Sequence, residues 1–165
     1  LDYFRMISSR EEQIKAMELF LEKASQNNHL PLFLHEREAH KDLYDILKKH
    51  EDVCEKSVVH CFTGTKQEAQ NYIDLGCCIG VTGWICDMER GSDLQDAVSV
   101  IPTNKLMIET DAPFIKDVLP YKNYYVYSYL SNLWQLNIDE IINLIHTNFN
   151  QLIEFKNNRN NLLNF

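Results

Sequence analysis

The chain has 165 residues, of which 45% are hydrophobic, and its formal net charge is −8 at pH 7. That length and composition suffice for a well-buried core, and no apolar run reaches the roughly 18 residues of a membrane span. The acidic balance argues against nonspecific binding of polyanions through a basic surface, although bound cations can reverse the field locally. A nucleic-acid substrate at a metal site therefore stays open.

Apolar periodicity predicts alternating helices and strands. Ser9 with Glu12 forms a capping box at the start of a helix, Thr65 with Glu68 forms another, and Gly76 is placed to end the second of these helices. The predicted elements are a helix over 9–24, a strand over 30–35, a helix over 39–49, a strand over 57–62, a helix over 65–76, a strand over 77–83, a helix over 92–101 and a strand over 105–109. This alternation predicts a parallel sheet with helices outside it.

The four predicted strands are short apolar runs of the kind that is buried on both faces. We expect an inner layer made of Leu32, Leu34, Val59, Ile79, Val81 and either Met107 or Ile108. Two further helices are predicted over 123–136 and 139–155, the second capped by Asn137. The asparagine-rich tail after Phe155 is typical of a low-complexity edge.

Five cysteines show no disulfide framework: Cys54, Cys61, Cys77, Cys78 and Cys86. Their number is odd, two are adjacent and no C-x-x-C spacing occurs, so we expect free thiols and a reducing compartment. Leu1 is not an initiator methionine, and the residues after it are polar. We therefore expect a chain that starts inside an intracellular protein of the cytoplasm or nucleus, with no targeting signal in view.

Three potential metal ligands follow the predicted strands. His35 ends the first strand, His60 lies near the end of the second, and Asp111 follows the fourth. Chemistry gathers at the carboxyl ends of parallel strands, and imidazole and carboxylate groups bind divalent cations. A single histidine in such a position is more often explained by packing, and the aspartate alone by a turn, but three such residues on one rim favour a metal site. We interpret Trp84, in a loop at the same rim, as a packing residue, and Arg37, Lys66 and Arg90 as candidate phosphate contacts.

Three segments resemble the TatD family of metal-dependent deoxyribonucleases. They are LPLFLHEREAH, VVHCFTGTKQEAQNYIDLGCCIGVTGWICD and KLMIETDAPF. The opening LDYFR is similar to the family segment that follows its GE-x-GLD element, and NIDEIINLIHTNFNQLIEF is similar to its closing helix. Two features of the family are missing here, namely an H-x-H strand end and a bridging glutamate. The stretch IKDVLPYKNYYVY replaces the family's R-x-NEP-like stretch, and either a divergent loop or residues missing near Pro120 would explain that difference.

The resemblance implies an α/β fold, the TIM (β/α)8 barrel of the metal-dependent hydrolase type. Residues 1–165 would form a single domain with four of the eight strands, roughly the C-terminal half of the barrel. His35, His60 and Asp111 match the family's metal ligands, with Asp111 also catalytic. Arg37 and Glu109 match neighbours in its motifs and are expected to contact the ligands or a phosphate of the substrate.

The predicted function is metal-dependent hydrolysis of DNA phosphodiester bonds by an activated water. We expect two divalent cations, of Mg²⁺, Mn²⁺ or Zn²⁺, with DNA as the partner, no membrane and no obligate protein partner. One alternative is a small-molecule amidohydrolase or lactonase on the same barrel, because a fold does not decide its substrate. The other is a non-catalytic fragment that lacks the first metal ligands.

Overall fold

The computed structural model describes residues 1–27, 30–115 and 123–153. Four strands form one parallel sheet in which neighbours in sequence are also neighbours in space. They are β1 (Leu32–His35), β2 (Ser57–His60), β3 (Cys78–Val81) and β4 (Leu106–Ile108). The predicted parallel α/β sheet is confirmed.

The α-helices of the described ranges are α1 (Arg10–Ser25), α2 (His40–Leu47), α3 (Glu51–Cys54), α4 (Lys66–Asp74), α5 (Ser92–Val98), α6 (Tyr124–Trp134) and α7 (Ile138–Ile153). Short 3-10 helices follow β3 at Gly83–Cys86 and precede β4 at Thr103–Lys105. The helix predicted over 39–49 is confirmed as α2, and the non-helical backbone of His50 separates it from the short helix α3, which was not predicted. The predictions for the stretch around Pro120 and for the tail after Phe155 lie outside the described residues.

The helix boundaries follow the capping signals in the sequence. The capping boxes at Ser9 and Thr65 are both present. Asn137 caps α7, since its side-chain Oδ1 accepts a hydrogen bond from the amide of Glu140 at 2.9 Å. Gly76 has a φ of +97°, the left-handed conformation that glycine adopts without strain after a helix. Local chemistry therefore determines where these helices begin and end.

One face of the sheet packs against the helices and forms the main core. Leu21 of α1, Leu43 of α2 and Leu94 of α5 belong to the same buried cluster as these strand residues: Leu32, Leu34, Val59, Ile79, Val81 and Leu106. Successive strand residues point to opposite faces of a sheet. Most of the residues predicted for the inner layer therefore face the helices, and for them that prediction is wrong.

The opposite face is covered less completely. Val58, Cys78 and Met107 form a small separate cluster with Leu152 of α7 packed against it. On β1, Phe33 is 64% exposed whereas Leu34 is 1% exposed, so the prediction that β1 is buried on both faces is wrong. β1 lies at an edge of the sheet, and a continuous apolar run does not reveal which of its faces is covered.

The closing helix α7 is tied to β4 by a buried amide. The side chain of Asn148 donates hydrogen bonds to the carbonyl oxygens of Thr103 at 2.7 Å and Leu106 at 2.8 Å. All five cysteines are free, as predicted. No helix in the described part of the chain is both long enough and apolar enough to span a bilayer.

Candidate active site

Two imidazole rings meet at the carboxyl ends of β1 and β2. The parallel register places His35 directly opposite His60. The Nδ1 atom of His35 lies 3.0 Å from the Nε2 atom of His60, and the ring centroids are 5.2 Å apart. The predicted convergence of the two histidines is confirmed, while their role as metal ligands stays a prediction.

Each of the two imidazole rings has a carboxylate next to the nitrogen that faces away from the other ring. The Nε2 atom of His35 lies 3.2 Å from Oδ2 of Asp2, and the Nδ1 atom of His60 lies 3.4 Å from Oε2 of Glu109. A carboxylate favours a proton on the nitrogen it faces, so the other nitrogen of each ring is left with its lone pair. The nitrogens that face each other across 3.0 Å would then both be lone-pair donors, an arrangement that a shared cation stabilises.

The surroundings shift the proton affinities of the two rings in opposite directions. Burial lowers the pKa of His35 by more than the hydrogen bond to Asp2 raises it. The Glu109 carboxylate beside Nδ1 raises the pKa of His60 against the effect of burial. The lowered pKa of His35 favours its neutral form, which is the form that binds a metal, and the Glu109 carboxylate favours a proton on the Nδ1 atom of His60.

Asp2 is a site residue that the sequence interpretation missed. It forms a parallel bridge to Arg37, which places the opening segment of the chain beside the end of β1. Burial raises the pKa of Asp2, but hydrogen bonds from the Arg5 amide and from His35 outweigh it and hold the pKa below its usual value. The only signal in the sequence is the aspartate of LDYFR, which lies outside every predicted strand.

Glu109 reaches its partners by crossing over Gly80. Its Oε1 atom accepts a hydrogen bond from the Cys61 amide at 2.6 Å, which fixes the chain directly after His60. A side chain at Gly80 would collide with this carboxylate and would lie 3.1 Å from the Cα atom of His60. Glycine in the middle of β3 therefore leaves room for the Glu109 carboxylate, directly after β4, to hold the end of β2.

Asp111 lies in the loop after β4. Its backbone φ is +50°, and its carbonyl oxygen accepts a hydrogen bond from the Phe114 amide at 2.8 Å. With both histidines it lines a cavity of about 280 Å³. Its negative charge also contributes to raising the pKa of the Cys61 thiol to about 12, of which burial is the larger cause.

Arg37 lines an adjoining cavity of about 290 Å³. The Cζ atom of Arg37 lies 3.7 Å from the centre of the Phe4 ring, so the guanidinium is stacked on an aromatic face. The same cavity is lined by His35, Asp111, Trp84 and Arg90. Of the five predicted site residues, the structure therefore brings four to these two cavities and places Glu109 behind His60.

The donor set fits a divalent cation, although its members do not enclose one. In residues 1–27, 30–115 and 123–153, no group of three or more His, Cys, Asp or Glu side chains has an arrangement that could hold a metal ion. The two facing imidazole nitrogens, each with a carboxylate behind it, are nevertheless the pattern found in protein metal sites. His35 and His60 would supply nitrogen ligands, and Asp111 would approach from the same cavity.

Side chains at the carboxyl rim of a parallel α/β sheet occupy the place where active sites lie in barrel folds. The profile of the family described as TatD related DNase matches residues 1–154. The chain belongs to this family.

Curated relatives of the chain are bacterial nucleases. It is 42% identical over 122 residues to the 3'-5' ssDNA/RNA exonuclease TatD of Escherichia coli and to that of Citrobacter koseri. Each match covers 73% of this chain and 46% of the relative, so the chain spans about half the length of the curated relatives it matches.

Solved structures agree with the fold. YJJV, a TatD homologue from Escherichia coli, superposes with a TM-score of 0.77 at 30% identity, over 92% of this chain and 60% of that one. An uncharacterized amidohydrolase from Saccharomyces cerevisiae superposes with a TM-score of 0.78 at 22% identity, over 92% of this chain and 62% of that one, and shows the fold alone. The sheet is therefore part of a TIM-barrel architecture.

Proposed function

We propose that the protein carrying this chain is a metal-dependent nuclease that hydrolyses phosphodiester bonds of DNA. The observation that carries the proposal is the pair of imidazole nitrogens 3.0 Å apart, each with a carboxylate behind it, at the strand ends of a parallel sheet. The names of the bacterial relatives support a nucleic-acid substrate.

Each side chain then has a defined task. His35, His60 and Asp111 would hold a divalent cation, which supplies Lewis-acid stabilisation of the phosphate and makes the attacking water more acidic. Asp111 also accepts the proton of that water. Asp2 and Glu109 orient the two imidazole rings, and Arg37 contacts a non-bridging phosphate oxygen. The facing imidazole lone pairs favour Zn²⁺ or Mn²⁺ over Mg²⁺ by ligand softness, and we propose two ions in the complete site.

We place this activity in a reducing intracellular compartment, the cytoplasm or the nucleus. The five free thiols support that placement, because cysteines without disulfide partners are typical of reducing surroundings. The partner in this proposal is the nucleic-acid substrate, which phosphate contacts would hold at the rim of the cavity.

The test is a cleavage assay of the protein after removal of metals with EDTA. Mg²⁺, Mn²⁺ and Zn²⁺ are added back singly to labelled single-stranded DNA, double-stranded DNA and single-stranded RNA. Cleavage that requires a cation and is lost in His60→Asn is the expected result. His146→Asn is the matched control, because His146 is an exposed histidine of α7 outside the two cavities.

Two results would reject the proposal. Equal cleavage by wild type and His60→Asn would point to a contaminating nuclease. No cleavage of any nucleic acid with any of the three cations, together with turnover of a lactone or an amide, would assign the site to a small-molecule hydrolase.

A further inference from the structure

We propose that Cys54 and Cys77 are a redox-sensitive pair, which a peroxide converts into a disulfide at the amino-terminal ends of β2 and β3. Both side chains are 0% exposed and belong to the main core. The pair precedes the two strands, whereas the candidate active site lies at the carboxyl ends of the sheet. The inference therefore stands independently of the proposed nuclease function.

The register of the sheet brings the two cysteines to the same place. Val58 of β2 lies opposite Cys78 of β3. Extending that register back by one residue places Cys77 opposite Ser57, which follows closely after Cys54 at the end of α3. Successive residues face opposite sides of a sheet, so Cys77 shares the main core with Cys54, whereas Cys78 belongs to the small cluster on the other face.

The chain segments that carry the two thiols touch. A Cβ atom at Gly76 would lie 3.2 Å from Cγ and 3.7 Å from Cα of Glu55, so the residue before Cys77 lies beside the residue after Cys54. The Cys77 thiol donates a hydrogen bond to the sulfur of Cys54. The Cys54 thiol in turn donates to the carbonyl oxygen of His50 at 3.6 Å. Thiols in contact can be joined with little movement of the backbone.

The hydrogen bond between the thiols makes their reactivities unequal. It lowers the pKa of Cys54 by more than burial raises it, whereas the same bond and burial both raise the pKa of Cys77. The thiolate is the nucleophilic form of cysteine. Cys54 is therefore the thiol that attacks the oxidant, and Cys77 is the one that resolves the product.

The oxidant is hydrogen peroxide, a molecule small enough to act inside a core that opens briefly. The Cys54 thiolate attacks one peroxide oxygen, the O–O bond breaks, and a sulfenic acid and hydroxide form. The Cys77 sulfur then attacks the sulfenic sulfur, the S–S bond forms, and the oxygen leaves as water. In total the two thiols lose two hydrogens and hydrogen peroxide is reduced to two waters.

The short helix α3 gives access to the buried pair. It has four residues, a single turn, and Cys54 is its last residue. Opening one such turn exposes Cys54 without unfolding the sheet, because proteins open locally at elements that have few contacts. Oxidation of the pair should therefore be slower than oxidation of Cys86, whose thiol is exposed.

The disulfide should stabilise the fold and leave the candidate site unchanged. It closes the stretch of chain that contains α4 and so restricts the unfolded state. The melting temperature should rise by about 5 to 15 °C. His60 lies at the far end of β2 from the bond, so the cleavage rate should stay the same.

The test is peptide mapping of the folded protein after treatment with hydrogen peroxide and alkylation in denaturant. The expected product is a linked pair of peptides that contain Cys54 and Cys77, lighter by two hydrogens. Dithiothreitol should reverse both the link and the rise in melting temperature. Cys54→Ala should abolish both effects. Cys78→Ala is the matched control, because Cys78 adjoins Cys77 but faces the other side of the sheet, and it should oxidise as wild type does.

The map of the wild-type protein decides the proposal even if a variant fails to fold. Complete alkylation of Cys54 and Cys77, after a treatment that has oxidised Cys86, would overturn it. So would pairing of either residue with another cysteine, or a link that forms only in denaturant. A linked protein that melts at the temperature of the reduced protein would overturn the stabilising role of the bond.

Discussion

The two faces of the four-stranded sheet perform different tasks. On the face toward the helices, Leu34 and Val59 are 1% and 0% exposed, and the residues there supply apolar burial. On the other face, each strand begins with an apolar residue and continues, two positions later, with a residue of the candidate site: Phe33 and His35, Val58 and His60, Cys78 and Gly80, Met107 and Glu109. Along a strand, one residue thus contributes to stability and the next faces the candidate site. Substitutions at neighbouring positions should therefore change either the free energy of unfolding or the cleavage rate, but not both.

The largest effect is expected on the helix-facing side. Leu106→Ala removes a fully buried side chain from the main core and should lower the free energy of unfolding by about 2–5 kcal/mol. Turnover per folded molecule should stay unchanged, because Leu106 points away from the cavities. Chemical denaturation and active-site titration measure the two quantities, and a loss of turnover in fully folded Leu106→Ala would break the division between the faces.

Asp111→Asn should have the largest effect on chemistry. The amide keeps the shape of the carboxylate but cannot accept the proton of the attacking water, so hydrolysis should fall by at least about 10²-fold. The melting temperature should stay close to that of wild type, since Asp111 lies in a loop at the cavity. The measurement is steady-state cleavage of an oligonucleotide at saturating metal, with the exposed Asp96→Asn as control. Near-normal turnover of Asp111→Asn would remove its assignment as the base.

Gly80→Ala and Ile79→Val, at adjacent positions of β3, compare the two faces of the sheet. The added methyl group displaces the Glu109 carboxylate that supports His60, so activity should fall by about 10- to 100-fold, the range for partners of metal ligands. Ile79→Val, one residue earlier and facing the helices, should cost about 0.5–1.5 kcal/mol of stability and leave activity intact. Cleavage rates and denaturation curves of both variants test the comparison, which fails if the two substitutions have the same profile.

Glu109→Gln should reduce cleavage less than Asp111→Asn or Gly80→Ala. An amide oxygen can still accept the hydrogen bond from the Cys61 amide, which spans 2.6 Å in the structure. The charge that holds a proton on the Nδ1 atom of His60 is lost, so we expect about a tenfold reduction in cleavage. A reduction as large as that of Asp111→Asn would instead place Glu109 in direct contact with the reacting groups.

Local patterns in the sequence predicted the elements, their parallel order and the caps, because these depend on periodicity and on residues three positions apart. They also placed His35 and His60 at one rim, since the ends of adjacent parallel strands meet there. The pairing of Asp2 with His35 and the passage of Glu109 over Gly80 were not predicted. Both join segments far apart in sequence, and neither leaves a periodic signal.

The burial of the two faces of each strand was also only partly predicted. A run of apolar residues indicates a strand but does not reveal what covers each side, which is why Phe33 is exposed where burial was expected. The amide of Asn148 gives a further example. Its two hydrogen bonds to carbonyl oxygens beside β4 depend on how α7 docks, which the sequence of α7 alone does not specify.

The most direct test of the site is whether His35 and His60 bind a divalent cation together. Metal-free wild type and the variant with both His35→Ala and His60→Ala are titrated calorimetrically with Zn²⁺ and with Mn²⁺, and their melting temperatures are measured with and without metal. Wild type should bind and be stabilised, because a ligand that binds only the folded state raises its stability. The double variant should bind at least about tenfold more weakly and gain no stability, whereas His146→Ala should behave as wild type. Equal affinity and equal stabilisation of wild type and the double variant would contradict the assignment of this histidine pair as the metal site.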